Sequence, residues 1–188
     1  MNTALTVGLI TASVTAIGWV VTYLLTSRSQ QAARVHAAEL ERVEDQLAKL
    51  YGPLAVEVIA GAASFQDLLT QLNRPTVFVT GRELSDDDLE LWLFWVDNDL
   101  MPRNEVIQNL IAGNAHLLDG PIPVSLLEYL EHFGSWRIRH LRWKQQNRPY
   151  SWHSDTPFPD SFRTDVLRTF DSLRARQRDL LRRNFGRR

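Results

Sequence analysis

The stretch ALTVGLITASVTAIGWVVTYLL, residues 4–25, contains no charged residue and is rich in apolar side chains. As an α-helix rising about 1.5 Å per residue it reaches about 33 Å, enough for a hydrocarbon core of about 30 Å. A cleaved signal peptide requires Lys or Arg before a shorter apolar run and a small-residue cleavage site after it, and this stretch has neither. The sequence therefore predicts a single transmembrane helix within residues 1–26.

The charges that flank this span predict its orientation. No Lys or Arg precedes it, whereas Arg28 and Arg34 follow it closely. Because cytoplasmic flanks are enriched in Lys and Arg, we expect the N-terminus outside and the C-terminal domain in the cytoplasm. The chain contains no cysteine, which agrees with a reducing compartment.

Small and hydroxyl-bearing residues recur within the span at steps of three and four, which places them along one side of a helix. This stripe consists of Gly8, Thr11, Thr15, Gly18, Thr22 and Thr26. Such a stripe suits close helix–helix packing with interhelical hydrogen bonds, or the lining of a wet pore in a ring of identical helices. We expect a cyclic homo-oligomer around it. A plain anchor, whose hydroxyls bond to their own backbone, is the alternative.

Residues 27–52 are predicted to form a helical connector that is continuous with the span. The segment from Ser27 to Leu50 lacks Pro and Gly and is rich in Ala, Leu, Glu, Arg and Gln, so the helix should continue unbroken to about Leu50. Leu40, Val43, Leu47 and Leu50 follow a heptad spacing that would pack on another subunit or on the chain's own domain. Gly52-Pro53 then predicts the end of this helix, with Gly as its C-terminal cap, and the start of the next.

Residues 53–188 are predicted to form one helical domain, because the roughly 160 residues after the span are enough to build a single hydrophobic core. Helix boundaries are expected at Asn73 to Pro75, at Met101-Pro102, from Asn114 to Pro123, and in the loop of residues 148–159. Ser85 and Ser125 are expected as N-caps, Ser85 with three aspartates in the first turn of its helix. The last helix, residues 160–184, buries Phe162, Val166, Phe170, Leu173 and Leu180 or Leu181. The predicted class is all-α, with a transmembrane helix extended into a cytoplasmic bundle of about five helices.

Charge is distributed unevenly along the chain. Residues 1–136 hold 7 Lys and Arg against 17 Asp and Glu, whereas residues 137–188 hold 14 against 5. Cationic and aromatic side chains alternate where the basic part begins: Arg137, Arg139, His140, Arg142, Trp143, Lys144, Arg148 and Trp152. Because Arg binds phosphate in a bidentate manner and aromatic rings stack on bases, this region is a candidate site for a nucleotide or single-stranded oligonucleotide.

Two other interpretations of the basic region stay open. Trp and Tyr at helical spacing are commonly core residues, with arginines on the wet face of the same helix. Alternatively, the terminal segment RARQRDLLRRNFGRR, residues 174–188, would bind acidic lipid headgroups.

The sequence predicts a protein that is not an enzyme and needs no metal or cofactor. It has no cysteine nucleophile, P-loop, GxGxxG or HExxH motif, and the N-cap role accounts for the three aspartates after Ser85. Arg148 and His153 do match the Arg-x4-His spacing of the ribonucleases of the HEPN helical superfamily. Pro149, however, stands where those enzymes usually have a polar residue. A membrane-anchored ribonuclease is therefore the weaker alternative.

Five ordered segments carry a resemblance to known proteins: LYGPL (50–54), LWLFWVDNDLMPRN (91–104), NLIAGNAHLLDG (109–120), IPVSLLEYLEHFGSW (122–136) and PFP (157–159). Behind an N-terminal span, this set resembles a group of small bacterial membrane proteins. It is similar to the membrane effectors of two-gene antiviral systems such as the Hailong system. The resemblance implies an oligomeric channel of the bacterial inner membrane, controlled by a nucleic-acid-like ligand and paired with a nucleotidyltransferase. It assigns no binding residue. A membrane-tethered scaffold that recruits a cytosolic partner is the other hypothesis.

Overall fold

The structure, a computed structural model, describes residues 3–79 and 83–185, with residues 3–18, 20, 21, 25, 184 and 185 described by their backbone alone. Six α-helices account for most of this part: α1 (Thr3–Asp45), α2 (Gly52–Gln71), α3 (Asp86–Trp95), α4 (Met101–Gly113), α5 (Val124–Gln146) and α6 (Asp160–Phe185). No strand occurs in these ranges. The predicted all-α class is confirmed.

Two π-helical turns join helices that the sequence predicts to be separate. Gln46–Tyr51 connects α1 to α2, and Val96–Leu100 connects α3 to α4, without any non-helical residue. The helix ends predicted at Gly52-Pro53 and Met101-Pro102 are therefore wrong. In both places the proline lies in the first turn after a π turn. Because a π turn widens the helix by one residue, it accommodates a proline that cannot donate a backbone hydrogen bond. The α- and π-helical residues of the described part thus form four continuous segments, and a short 3₁₀ helix, Ala115–Leu117, follows α4.

Position 52 requires a glycine because a side chain has no space there, not because the backbone is left-handed. Its φ of −65° is that of an ordinary right-handed helix, so Gly52 continues the helix into α2 instead of ending it. Its N–H donates to the carbonyl oxygen of Leu47, which closes the π turn. A Cβ at this position would lie 2.3 Å from that same oxygen. A side chain here would therefore force the turn to open.

Residues Val43–Asp179 form a compact unit with its own core. In this unit α2 packs on α4, and α4 packs on α5. The largest fully buried side chains are Tyr129, Phe133, Phe162, Leu50, Leu54 and Leu68. Val43 and Leu50 of the heptad series are buried among them. This part of the series therefore packs on the chain's own domain.

The described residues 3–42 and 180–185 belong to a second unit. Within it, a ring nitrogen of His36 lies 3.0 Å from the carbonyl oxygen of Leu180. Leu180 is buried whereas Leu181 is exposed, so the apolar face of α6 ends on Leu180.

Among the residues that the structure describes, no helix is both long and apolar enough to cross a membrane. The predicted span lies in α1, but the side chains of Gly8, Thr11, Thr15 and Gly18 are outside the described part. Of the predicted stripe, Thr22 and Thr26 are described, and both are exposed.

One of the two predicted N-caps is correct. Ser85 accepts a hydrogen bond from the backbone N–H of Asp88 at 3.2 Å and starts α3. Ser125 is not a cap, because α5 begins one residue earlier, at Val124, after an N-cap residue, Pro123, that offers no side-chain acceptor. Ser125 is instead buried, and its hydroxyl has no hydrogen-bond partner in the described part of the chain.

We predict that Gly52→Ala destabilises the protein by about 1–3 kcal/mol, because the new methyl group overlaps the Leu47 carbonyl and strains the π turn. Gly134→Ala is the matched control: Gly134 lies within α5 with open space where a Cβ would point, so we expect a gain of about 0.5–1 kcal/mol. Thermal unfolding followed by circular dichroism measures both. Equal melting temperatures for the two variants would contradict this role of Gly52.

Candidate functional site

The basic, aromatic region predicted from sequence lies on α5 and the loop that follows it. Tyr129, Phe133, Trp136 and His140 recur at steps of four and three, and all four are buried. This stripe is the core-facing side of α5. Trp143 and Trp152 are only half-buried. Of the predicted region, His140 therefore lies in the core with the residues that precede it on α5, whereas Trp143 and Trp152 remain within reach of solvent.

Three of the predicted cationic residues form ion pairs inside the domain. Arg137 Nε lies 3.0 Å from Glu105 Oε1, and Lys144 Nζ lies 2.8 Å from Asp97 Oδ1. Arg139 pairs with Asp155, and this hydrogen bond holds the pKa of Asp155 below its usual value. These contacts use part of the basic C-terminal charge to bind acidic groups of the same fold.

Arg142 and Arg148 differ from these three residues. Both are exposed, and neither forms an ion pair with another residue in the described part of the chain. Among the predicted ligand-binding cations, Arg142 and Arg148 are therefore the two whose charges are available to solvent or to a ligand.

His140 is the centre of a buried polar network. Its Nε2 lies 2.7 Å from Asp97 Oδ1, and its Nδ1 lies 2.8 Å from the Tyr150 hydroxyl. Trp136 Nε1 also donates to the Tyr150 hydroxyl, at 3.3 Å. A ring that donates from Nε2 and accepts at Nδ1 satisfies both partners. The network ties the loop after α5 to the π turn between α3 and α4.

Burial and hydrogen bonds shift two pKa values in this network. Burial raises the pKa of Tyr150 to about 12, so its hydroxyl stays protonated at neutral pH. Burial alone would raise the pKa of Asp97, but hydrogen bonds from Lys144 and His140 outweigh it and hold that pKa below its usual value. Asp97 is therefore ionised at neutral pH, and it was not among the residues predicted from sequence. Its signal in the sequence is a carboxylate that directly follows the apolar run LWLFWV, residues 91–96.

Trp152 has an unusual backbone conformation at the edge of this network. Its φ is +66°, in the left-handed region where a bulky residue is strained. Trp92 Nε1 donates to its carbonyl oxygen at 2.8 Å, which holds it there. The Trp152 ring packs edge-on against Trp143 with centroids 5.4 Å apart. The structure therefore brings together the two tryptophans of the predicted ligand site.

The geometry offers little support for Arg148 and His153 as an active-site pair. His153 Nδ1 lies 2.7 Å from the carbonyl oxygen of Ser154, and its ring packs on Phe78 at 4.8 Å. No hydrogen bond joins His153 to Arg148 in the described ranges. Within those same ranges, no group of three His, Asp or Glu side chains is placed to hold a metal ion.

Comparison with known proteins adds no relative: no protein family, curated protein or solved structure matches this chain.

His132, also on α5, provides a pH test of this region. Its Nδ1 lies 2.6 Å from the carbonyl oxygen of Thr156, and burial lowers its pKa. In the unfolded chain His132 binds a proton near pH 6.5, whereas in the folded chain it does so only at lower pH. The free energy of unfolding therefore decreases as the pH falls through that range.

We predict that the wild-type melting temperature falls between pH 7.5 and pH 5.5, and that His132→Asn reduces this fall. Asn has no titrating group and keeps an N–H donor for the Thr156 carbonyl. Thermal unfolding of both proteins at the two pH values measures the difference. An identical fall in wild type and variant would show that His132 does not contribute.

Proposed function

We propose that the chain is an oligomeric membrane effector of the ion-channel type, anchored by residues 4–25 and controlled by a nucleotide-like signal that binds its helical domain. The observation that carries this proposal is the stripe of glycine and threonine within an uncharged run long enough to span a bilayer. The backbone of this run lies in α1, and its predicted orientation places the domain on the cytoplasmic side of the bacterial inner membrane.

The stripe supports assembly for a physical reason. Lipid tails offer hydroxyl groups no hydrogen-bond partners, so a one-sided row of threonines is favourable where it faces another helix or water. The opposite side of the span carries the larger aliphatic residues, such as Leu9, Ile17, Val20 and Leu24, which suit lipid contact. A ring of identical helices would place Thr15 and Thr22 on its axis.

Arg142, Arg148, Trp143 and Trp152 support the proposed signal site. The first two are exposed cations suited to phosphate, and the second two are half-buried rings suited to stacking on bases. A ligand that binds one form of the assembly more tightly than the other would shift the balance between closed and open forms. The resemblance of the sequence to Hailong-type effectors supports antiviral defence as the setting and a nucleotidyltransferase as the source of the signal.

A membrane-tethered scaffold is the second candidate. On α2, Val56 and Ile59 expose 64% and 52% of their surface to solvent. Large apolar residues exposed on one helix suit contact with a partner protein. In this case the span serves only as an anchor and the helical domain recruits the partner.

Ion flux through purified full-length protein in liposomes separates the two candidates. We predict flux from wild type and a loss of at least about tenfold in Thr15→Leu/Thr22→Leu, because the added side chains fill the axis of the ring. The matched control, Ile17→Leu/Val20→Leu, changes the opposite side of the span and should retain the flux. A wild type without flux, or equal flux from both double variants, would contradict the channel.

The same liposomes test the signal site. A short single-stranded DNA added on the side of the helical domain should change the flux of wild type and of Arg137→Gln, whose guanidinium is already paired with Glu105. It should not change the flux of Arg142→Gln/Arg148→Gln. An unchanged response in this double variant would remove these two arginines from the proposal.

A further inference from the structure

The unit Val43–Asp179 contains a cavity of about 570 Å³ that the proposed function does not use. Cavities of about 300–1,000 Å³ are typical of small-molecule sites. None of the four side chains of the proposed signal site lines it, neither Arg142 and Arg148 nor Trp143 and Trp152. The cavity is therefore a different site.

The deep part of the cavity, its floor, is apolar and mostly aromatic. The floor is formed by side chains that expose no more than 8% of their surface: Val58, Trp92, Ile107, Tyr129, Trp136 and Phe162. Its rings pack in both of the arrangements that aromatic pairs favour. Tyr129 stacks on Phe162 with ring centroids 4.2 Å apart, and Phe78, which also lines the cavity, meets Trp92 edge to face at 5.2 Å. A floor of this kind suits a flat ring.

The protein already uses the hydrogen-bond donors of the floor. The indole N–H groups of Trp92 and Trp136 both donate to the loop after α5, and the Tyr129 hydroxyl donates to a side-chain amide of α4. Ser154, a buried polar residue of the lining, donates its hydroxyl to the carbonyl oxygen of His132 at 3.0 Å. A polar ligand would give up its hydrogen bonds to water without gaining these donors, so the floor favours an apolar ligand.

The charged residues of the lining select neither an anion nor a cation. Arg103 donates from Nη1 to Glu57 Oε2 at 2.8 Å and from Nη2 to Asp99, so its charge is paired within the protein. Arg163 is exposed, and water and salt screen its charge. A charged ligand would lose its hydration on entering the apolar floor. The lining therefore favours a neutral ligand.

Two exposed phenyl rings mark the place where the cavity opens to solvent. Phe65 of α2 exposes 38% of its surface, and Phe158, in the loop before α6, exposes 50%. Both line the cavity. Apolar surface in water is unfavourable, and a ligand that fills the cavity would cover part of these two rings. The opening and the floor thus favour the same ligand chemistry.

We propose that this cavity binds a neutral, apolar aromatic molecule of about two fused rings, held by ring packing and burial rather than by hydrogen bonds. The same features disfavour a nucleobase, which carries several hydrogen-bonding groups. The cavity and the proposed signal site therefore bind different chemistry. The proposal goes beyond the channel activity and does not depend on it, because the cavity lies within the helical domain.

Naphthalene and quinoxaline are the probes, because both are neutral and consist of two fused six-membered rings, but only quinoxaline carries ring nitrogens that accept hydrogen bonds. The full chain, labelled with fluorotryptophan and placed in lipid nanodiscs, is titrated and followed by fluorine NMR against the free aqueous probe concentration. We expect naphthalene to shift the Trp92 and Trp136 signals with a dissociation constant on the order of 0.1 mM. The Trp143 signal, outside the cavity, should stay in place. Quinoxaline should bind at least about tenfold more weakly, because its nitrogens lose their hydrogen bonds to water.

Two neighbouring positions on α2 give a matched pair of variants. Ala62 lines the cavity, whereas Ala63 is exposed and does not. Ala62→Phe should weaken naphthalene binding at least about tenfold by filling the cavity, and Ala63→Phe should leave it unchanged. Partition of the probe into lipid is the same for both variants and cancels in the comparison. Should Ala62→Phe not fold, Ala62→Leu fills part of the same space and should weaken binding in the same direction.

A saturable shift of Trp92 and Trp136 that Ala62→Phe weakens and Ala63→Phe retains would support the proposal. The absence of a saturable shift in wild type would overturn it, and so would equal binding by the two variants. Quinoxaline binding as tight as naphthalene binding would overturn the apolar class assigned to the ligand.

Discussion

The stacked contact between Trp92 and Trp136 is the interaction on which the helical domain depends. The two rings lie 5.8 Å apart and 14° from parallel, and they join α3 to α5 within a core that includes Leu68 and Leu69 of α2. Both indole N–H groups are used: Trp92 donates to the Trp152 carbonyl, and Trp136 donates to Tyr150. The pair therefore positions the loop after α5 as well as the helices. The cavity and the His140 network both have one of these rings as a neighbour, so the same stack shapes both.

Local sequence patterns predicted the helices well where the signal was itself local. Ser85 as an N-cap and the apolar face of α6, with Phe162, Val166 and Leu173 buried, follow from spacing within a few residues. The two π turns could not be predicted from local spacing, because a proline normally marks the end of a helix. Whether a widened turn compensates for it depends on backbone hydrogen bonds such as that from Gly52 to Leu47, which spacing alone does not reveal.

The candidate site was less predictable because its partners are distant in sequence. Arg137 pairs with a residue 32 positions away, and Lys144 with one 47 positions away. Composition predicted cations and rings in one region, yet it could not separate paired cations from unpaired ones. Only the fold distinguishes Arg142 and Arg148 from Arg137, Arg139 and Lys144. The cavity is non-local for the same reason, since its lining joins residues from Glu57 to Arg163.

The central claim of our proposal is that the glycine and threonine stripe faces other copies of the chain in the membrane. The absence of cysteine from the sequence makes single-cysteine cross-linking the most direct test. Oxidation of Thr15→Cys protein in native membranes should give a disulfide-linked dimer, whereas Val20→Cys, on the lipid side, should stay monomeric. Monomers from both variants, or equal cross-linking of both, would contradict assembly around the stripe.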